Sequence, residues 1–172
     1  ILFMNQLSTN RTLINVIGIP AILYLLWQGG PVFSLFIFLV MIIGLDEFYR
    51  MNTNERQTPV KLTGYIFTGL LAAYYFWLPV ITLLQGMILL SCFIIITFFL
   101  EMSRDKVNPT RNMGINILGM MYVPVLLGSL IALRNLDTSH GAYFTVSMIV
   151  AIWICDSAAF IFGMKWGQRK IF

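Results

Sequence analysis

Charge is what this sequence has least of. Only 10% of its 172 residues are Asp, Glu, Lys or Arg, while 59% are apolar. An ordinary globular protein carries about 25% charged residues. Eighteen charges, 11 basic and 7 acidic, cannot cover the surface of a soluble domain of this length. A disordered chain is excluded too, because it would be poor in the aliphatic and aromatic side chains that crowd this one. Cysteine and histidine are scarcer still. Cys92 and Cys155 fall inside apolar runs without metal-ligand spacing, which reads as small apolar core residues. The single histidine, His140, has no Ser or Cys nucleophile near it, so a His-activated nucleophile is not expected. The pI near 9.3 is not backed by a dense basic face, which excludes nucleic acid as a partner. What remains is an integral membrane protein whose surroundings are the lipid bilayer.

The hydrocarbon layer is about 30 Å thick and needs about 20 mostly apolar residues to cross as a helix. Six segments qualify, centred on 13–27, 31–45, 62–77, 81–100, 115–133 and 142–162. Alternating ten-residue segments, the mark of a transmembrane barrel, are absent. The fold class is therefore all-α: a polytopic membrane protein of about six helices, with residues 1–172 as one transmembrane domain. The basic residues assign the sides. Arg11, Arg50, Arg56, Lys61, Arg104, Lys106, Arg111, Lys165, Arg169 and Lys170 fall on one side of such a topology, and Arg134 alone on the other. Basic loops stay in the cytoplasm, so both termini are expected inside. Trp27, Trp77, Tyr49, Tyr122 and Trp166 lie near span ends, where amphipathic rings favour the interface.

Asp156 is the one acidic residue within an apolar span, in the segment Trp153-Ile-Cys-Asp156-Ser157-Ala-Ala-Phe-Ile-Phe-Gly163. A carboxylate at membrane depth costs about 2.5–3.5 kcal/mol on insertion scales, so it faces a cavity, an ion or a partner. Seven residues further on, about 10 Å along a helix, the basic exit with Lys165, Arg169 and Lys170 begins. A carboxylate can hold a divalent cation and the basic residues phosphate oxygens, which is the equipment of phosphoryl or nucleotidyl transfer. A structural Asp bonded to a neighbouring helix, with a basic tail serving topology, explains the same residues. Asp46 and Glu47 are expected to pair with local basic residues at a helix end. Arg111, Asn112 and Asn116 open span five. They either line the same cavity, with Arg111 on a phosphate, or form an ordinary helix start.

The segment from Trp153 to Lys170 resembles the W-x-x-D-[ST]-x-A-[YF]-x-x-G-[RK]-x-[FW]-G-[KR]-x-[KR] stretch of phosphatidate cytidylyltransferases, the CDP-diacylglycerol synthases. Asn116-Ile-Leu-Gly119-Met-Met-Tyr122, then Leu133-Arg134, resemble that family's N-x-x-G-x-x-Y and L-R. The opening Arg11-Thr-Leu-Ile-Asn-Val-Ile-Gly-Ile-Pro20, and Glu47 after span two, fit as well. The resemblance implies condensation of CTP with phosphatidate to CDP-diacylglycerol and pyrophosphate, with magnesium as cofactor. Asp156 would be the active-site carboxylate and a metal ligand. Lys165, Arg169 and Lys170 would hold phosphates at the cytoplasmic surface of a bacterial inner membrane. A homodimer is compatible with the resemblance. The family's later S-P-K-K-T-x-E-G-type loop and its P-G-H-G-G and D-R-x-D signature do not occur before Phe172. The 172-residue chain is thus expected to be the front portion of a longer enzyme and inactive alone. Two other functions fit the same residues: a CTP-dependent kinase of polyprenols or related lipid alcohols, and a non-catalytic scaffold or small transporter using Asp156 as a proton or cation site.

Overall fold

The computed structural model describes residues 17–54, 56–77, 82–104, 106–137 and 139–167. In lipid every backbone N–H and C=O must find a partner inside its own segment, and the helix is the local solution. Among the described residues, six helices occupy the expected segments: α1 (Ile17–Gln28), α2 (Gly30–Asn52), α3 (Lys61–Phe76), α4 (Leu83–Met102), α5 (Pro109–Asn135) and α6 (Gly141–Trp166). No β-strand occurs among the described residues. Helices α2, α4, α5 and α6 are long and apolar enough to cross a membrane. The 16 residues of α3 give about 24 Å, short of a full hydrocarbon layer. This is an all-α membrane protein. Arg11, Arg169, Lys170 and both termini, on which part of the expected topology rests, lie outside the described residues.

The chain divides into two compact units. One contains α1 and α6, where Trp27 meets Tyr143 edge-to-face at 5.2 Å. Helix α6 buries little of itself: the long apolar stretch that qualifies it as a span has no buried residue. Cys155 is exposed on it, as Cys92 is on α4, so neither cysteine is the core residue that its apolar setting suggested. Both sit on helices that are apolar all round, where composition does not reveal the inward face.

The other unit contains α2 to α5. Helix α2 turns one stripe inward, with Phe33, Ile37, Met41, Leu45 and Tyr49 buried at four-residue spacing. Leu45 and Tyr49 pack with Ile115 and Val123 of α5, and Phe67 and Leu71 of α3 pack with Phe93 and Met120. Tyr49 was expected in the interfacial belt with Trp27, Trp77, Tyr122 and Trp166. Those four are exposed, but Tyr49 is wholly buried because position 49 continues the α2 stripe. Its ring fits only because residue 64 is glycine: a Cβ there would lie 2.0 Å from the Tyr49 hydroxyl. Gly64→Ala should therefore destabilise the protein by about 1–3 kcal/mol, as overpacked cores do. Thermal unfolding in detergent would check this, and a Tyr49→Phe background should recover part of the loss.

Helix α5 starts at Pro109 behind Asn108, whose left-handed backbone (φ 63°) is one that Asn tolerates. It widens into a π segment over Met121–Val125, where Pro124 lacks an N–H. Tyr75 of α3 donates its hydroxyl to the Val125 carbonyl at 3.2 Å, so the disturbed turn gains a donor from a neighbour.

Candidate functional site

In the two-helix unit, Asp156 lies ten residues before the end of α6, so the helix continues for nearly three turns beyond it. Trp153, Asp156, Ser157, Phe160 and Gly163 recur at helical spacing and share one face. Asp156 is exposed and makes no hydrogen bond or ion pair with another described residue. At Gly163 a Cβ would meet nothing within 4 Å, so this face stays open toward the end of the helix. Lys165 is also exposed, in the last turn. Nine residues of helix separate it from Asp156, about 13.5 Å of rise and about half a turn. The helix thus carries both groups without aiming them at one another. Arg169 and Lys170 fall outside the described residues.

In the four-helix unit the polar groups do converge, around a residue that the sequence did not single out. Glu101 ends α4 and is fully buried. Its carboxylate accepts from Asn112 Nδ2 and, at 3.1 Å, from Arg104 Nη1. Arg104 also donates to the Thr58 carbonyl at 2.9 Å, while Thr58 N–H donates to Asn112 Oδ1 at 3.0 Å. One turn along α5, Asn116 donates to the Val60 carbonyl at 3.0 Å and accepts from the Tyr49 hydroxyl at 2.6 Å. Glu101, Asn112 and Asn116 therefore grip residues 58–60, the approach to α3. Burial of these groups is affordable because each polar atom has a partner.

Arg111 stands beside this cluster and is exposed. With the Gln57 amide turned so that its oxygen faces α5, that oxygen lies against the Arg111 guanidinium, 2.9 Å from Nε, 3.1 Å from Nη1 and 3.2 Å from Nη2. The Gln57 nitrogen then donates to the Asn52 carbonyl at 3.1 Å. The acidic pair on α2 behaves differently from expectation. Asp46 accepts from the Tyr65 hydroxyl at 2.6 Å rather than pairing with a basic neighbour. Glu47 and Arg50 are exposed beside it and form no ion pair with a described residue. The reason is reach: α3 brings a rigid phenol to Asp46, whereas the long Arg50 side chain loses rotamer freedom if held.

The signal for Glu101 was present but quiet. Gly86, Phe93, Thr97 and Glu101 form the buried stripe of α4, and Glu101 lies four residues after Thr97. Because α4 is apolar on every face, no contrast marked that stripe in the sequence.

A magnesium centre needs several oxygen ligands around the ion. Among the described residues, no three His, Cys, Asp or Glu side chains come together to hold a metal. Asp156 offers a single carboxylate, so the described residues do not by themselves fit such a centre.

Apolar helices able to span lipid, with polar clusters at defined helix positions, define an α-helical membrane protein. Its family is shown by comparison: the chain belongs to the cytidylyltransferase family, whose profile matches residues 9–172. It is 26% identical over 167 residues to a phosphatidate cytidylyltransferase of Staphylococcus epidermidis. It is 27% identical over 177 residues to a phosphatidate cytidylyltransferase of Bacillus subtilis. Each match covers 94% of this chain and 60% of the relative, so the chain spans about 60% of the length of these curated relatives. No solved structure matches it.

Proposed function

We propose that this chain is part of a phosphatidate cytidylyltransferase of a bacterial plasma membrane, its basic loops facing the cytoplasm. The observation that carries the proposal is the family match over residues 9–172, together with relatives so named across 94% of the chain. In this reaction a phosphate oxygen of phosphatidate attacks the α-phosphorus of CTP. The bond from that phosphorus to the bridging oxygen of the β-phosphate breaks, and pyrophosphate leaves. CDP-diacylglycerol stays in the membrane by its acyl chains.

The physical demands match the chemistry of the residues. Both reactants are anions, and bringing them together requires positive charge at the cytoplasmic surface. Lys165, Arg169, Lys170 and Arg111 supply it in this reading. Asp156 is the active-site carboxylate on the open face of α6. A divalent cation there would need further ligands from outside the described residues, since Asp156 alone does not make a site.

The test is the fate of label. Vesicles containing the full-length protein, given phosphatidate and CTP, should carry an α-phosphorus label into lipid and leave a γ-phosphorus label in water. Lipid labelling from the γ-position instead would identify a lipid-alcohol kinase and sink the proposal.

A further inference from the structure

We infer that Asn112 is a positioning residue: tied to Glu101 and Thr58, it holds the first turn of α5 in shape and so presets Arg111 to take a phosphoryl group. This rests on the reading of Arg111 as a phosphate-binding residue.

The first turn of α5 has little of its own to hold it. A helix leaves its first four N–H groups without intrahelical partners, and a side-chain cap is the common remedy. Asn108 stands at the cap position, but its side chain makes no capping bond. Pro109 has no N–H to contribute. The Arg111 and Asn112 N–H groups reach back to the Asn108 carbonyl, each at 3.1 Å. Gly114 follows, and a glycine inside a helix weakens it further. Helix ends built this way fray.

One side chain opposes the fraying. Across residues 108–114 Asn112 alone is buried, and it is wholly so. Its Nδ2 donates to the Glu101 carboxylate, and its Oδ1 accepts from the Thr58 N–H at 3.0 Å. Glu101 is itself fully buried on α4, and Arg104 holds both Glu101 and the Thr58 carbonyl. Asn112 therefore ties the first turn to α4 and to the approach to α3 at once. A buried polar network fixes one geometry when its members are satisfied, and none of these buried side-chain atoms lacks a partner.

Arg111, next to this anchor, is exposed and pairs with no carboxylate among the described residues. The Gln57 amide against it is neutral, so its positive charge stays open to an anion. A guanidinium recognises a phosphoryl group by the direction of its donors, so the backbone that aims it matters. A turn ordered beforehand need not be ordered on binding. A turn that is ordered only part of the time lowers the apparent affinity by that fraction.

The same oxyanion chemistry reaches Arg111 from two sources, a polyphosphate in water or a lipid phosphate in the membrane. The experiment keeps them apart. Full-length protein in phosphatidylcholine nanodiscs is titrated with inorganic pyrophosphate, and a parallel arm uses nanodiscs of rising phosphatidate content without pyrophosphate. Binding to the folded fraction is read from the phosphorus NMR signal of the added phosphate.

In the arm whose phosphate uses the site, Asn112→Ala should weaken binding about tenfold, the loss expected if the turn is then ordered about a tenth of the time. Arg111→Gln should weaken it at least as much. The double variant should bind no more weakly than Arg111→Gln alone, because a positioning residue acts only through the group it positions. Glu101→Leu removes the acceptor of Asn112 from the far side, should give the same non-additive loss, and replaces Asn112→Ala if that variant does not fold. Glu101→Gln keeps an acceptor oxygen for Asn112 and should recover most of the affinity. Losses that add in the double variant would overturn the positioning role, since a general structural defect adds to any other. Binding that depends on Arg111 yet is unchanged in folded Asn112→Ala would also overturn it, and would spare Arg111. Binding indifferent to Arg111→Gln in both arms would overturn the reading of Arg111 itself.

Discussion

Asp156→Asn in the full-length protein should lower CDP-diacylglycerol formation by about 10²–10³-fold or more, the scale of losing a group that acts on charge in a transition state. Folded yield and membrane insertion should stay at wild-type levels. The second expectation follows from the surroundings of the side chain. Asp156 is exposed and bonded to no described residue, so exchanging an oxygen for an amide nitrogen removes no contact that holds α6 together. Asn keeps the size of the side chain and loses only its charge. Turnover should fall without a matching rise in thermal lability. Near-normal turnover by the purified variant at saturating magnesium would end the assignment, and loss of folded protein would return Asp156 to a structural role.

Glu101 should show the opposite behaviour. Its carboxylate is fully buried and holds Asn112 and Arg104, which together fix Thr58. Glu101→Leu leaves the buried Asn112 amide without an acceptor, while Arg104, 32% exposed, still reaches the Thr58 carbonyl and water. Losing the buried acceptor of a charged cluster in this way costs about 3 kcal/mol. Glu101→Gln retains one acceptor oxygen and should cost less, about 1–3 kcal/mol. Equilibrium unfolding in mixed micelles would measure both. An unchanged midpoint for Glu101→Leu would show that the cluster does not anchor residues 58–60.

These two carboxylates show what the sequence made legible. The positions of α2, α4, α5 and α6 follow from apolar run length, because a lipid span sets a minimum that few other structures meet and that the 16 residues of α3 do not reach. Asp156 stood out because its neighbours are uniformly apolar. Burial did not follow from that contrast: the buried carboxylate is Glu101, at the end of α4, and Asp156 is exposed on α6. A helix apolar on all faces gives no moment to reveal which side packs, so Cys92 and Cys155 were placed inward and are exposed. Tyr49 failed for a related reason. An aromatic ring near a span end suits the interface, but its four-residue spacing from Leu45 and the space left by Gly64 carry it inward. Asn112 and Asn116 were open between a cavity lining and a helix start. They serve as the polar floor beneath the connection into α3. Only the tertiary fold brings residues 54 and 56 positions apart in sequence into one hydrogen-bonded cluster, so that cluster could not be read from local pattern.

The proposed joining of CTP to phosphatidate by the full-length protein is measured most directly by the stoichiometry of products from purified protein in phosphatidate vesicles supplied with CTP and magnesium. One pyrophosphate should be released for each CDP-diacylglycerol formed, with neither product when phosphatidate is omitted. CTP consumed to CDP without pyrophosphate, or pyrophosphate released equally without phosphatidate, would contradict it.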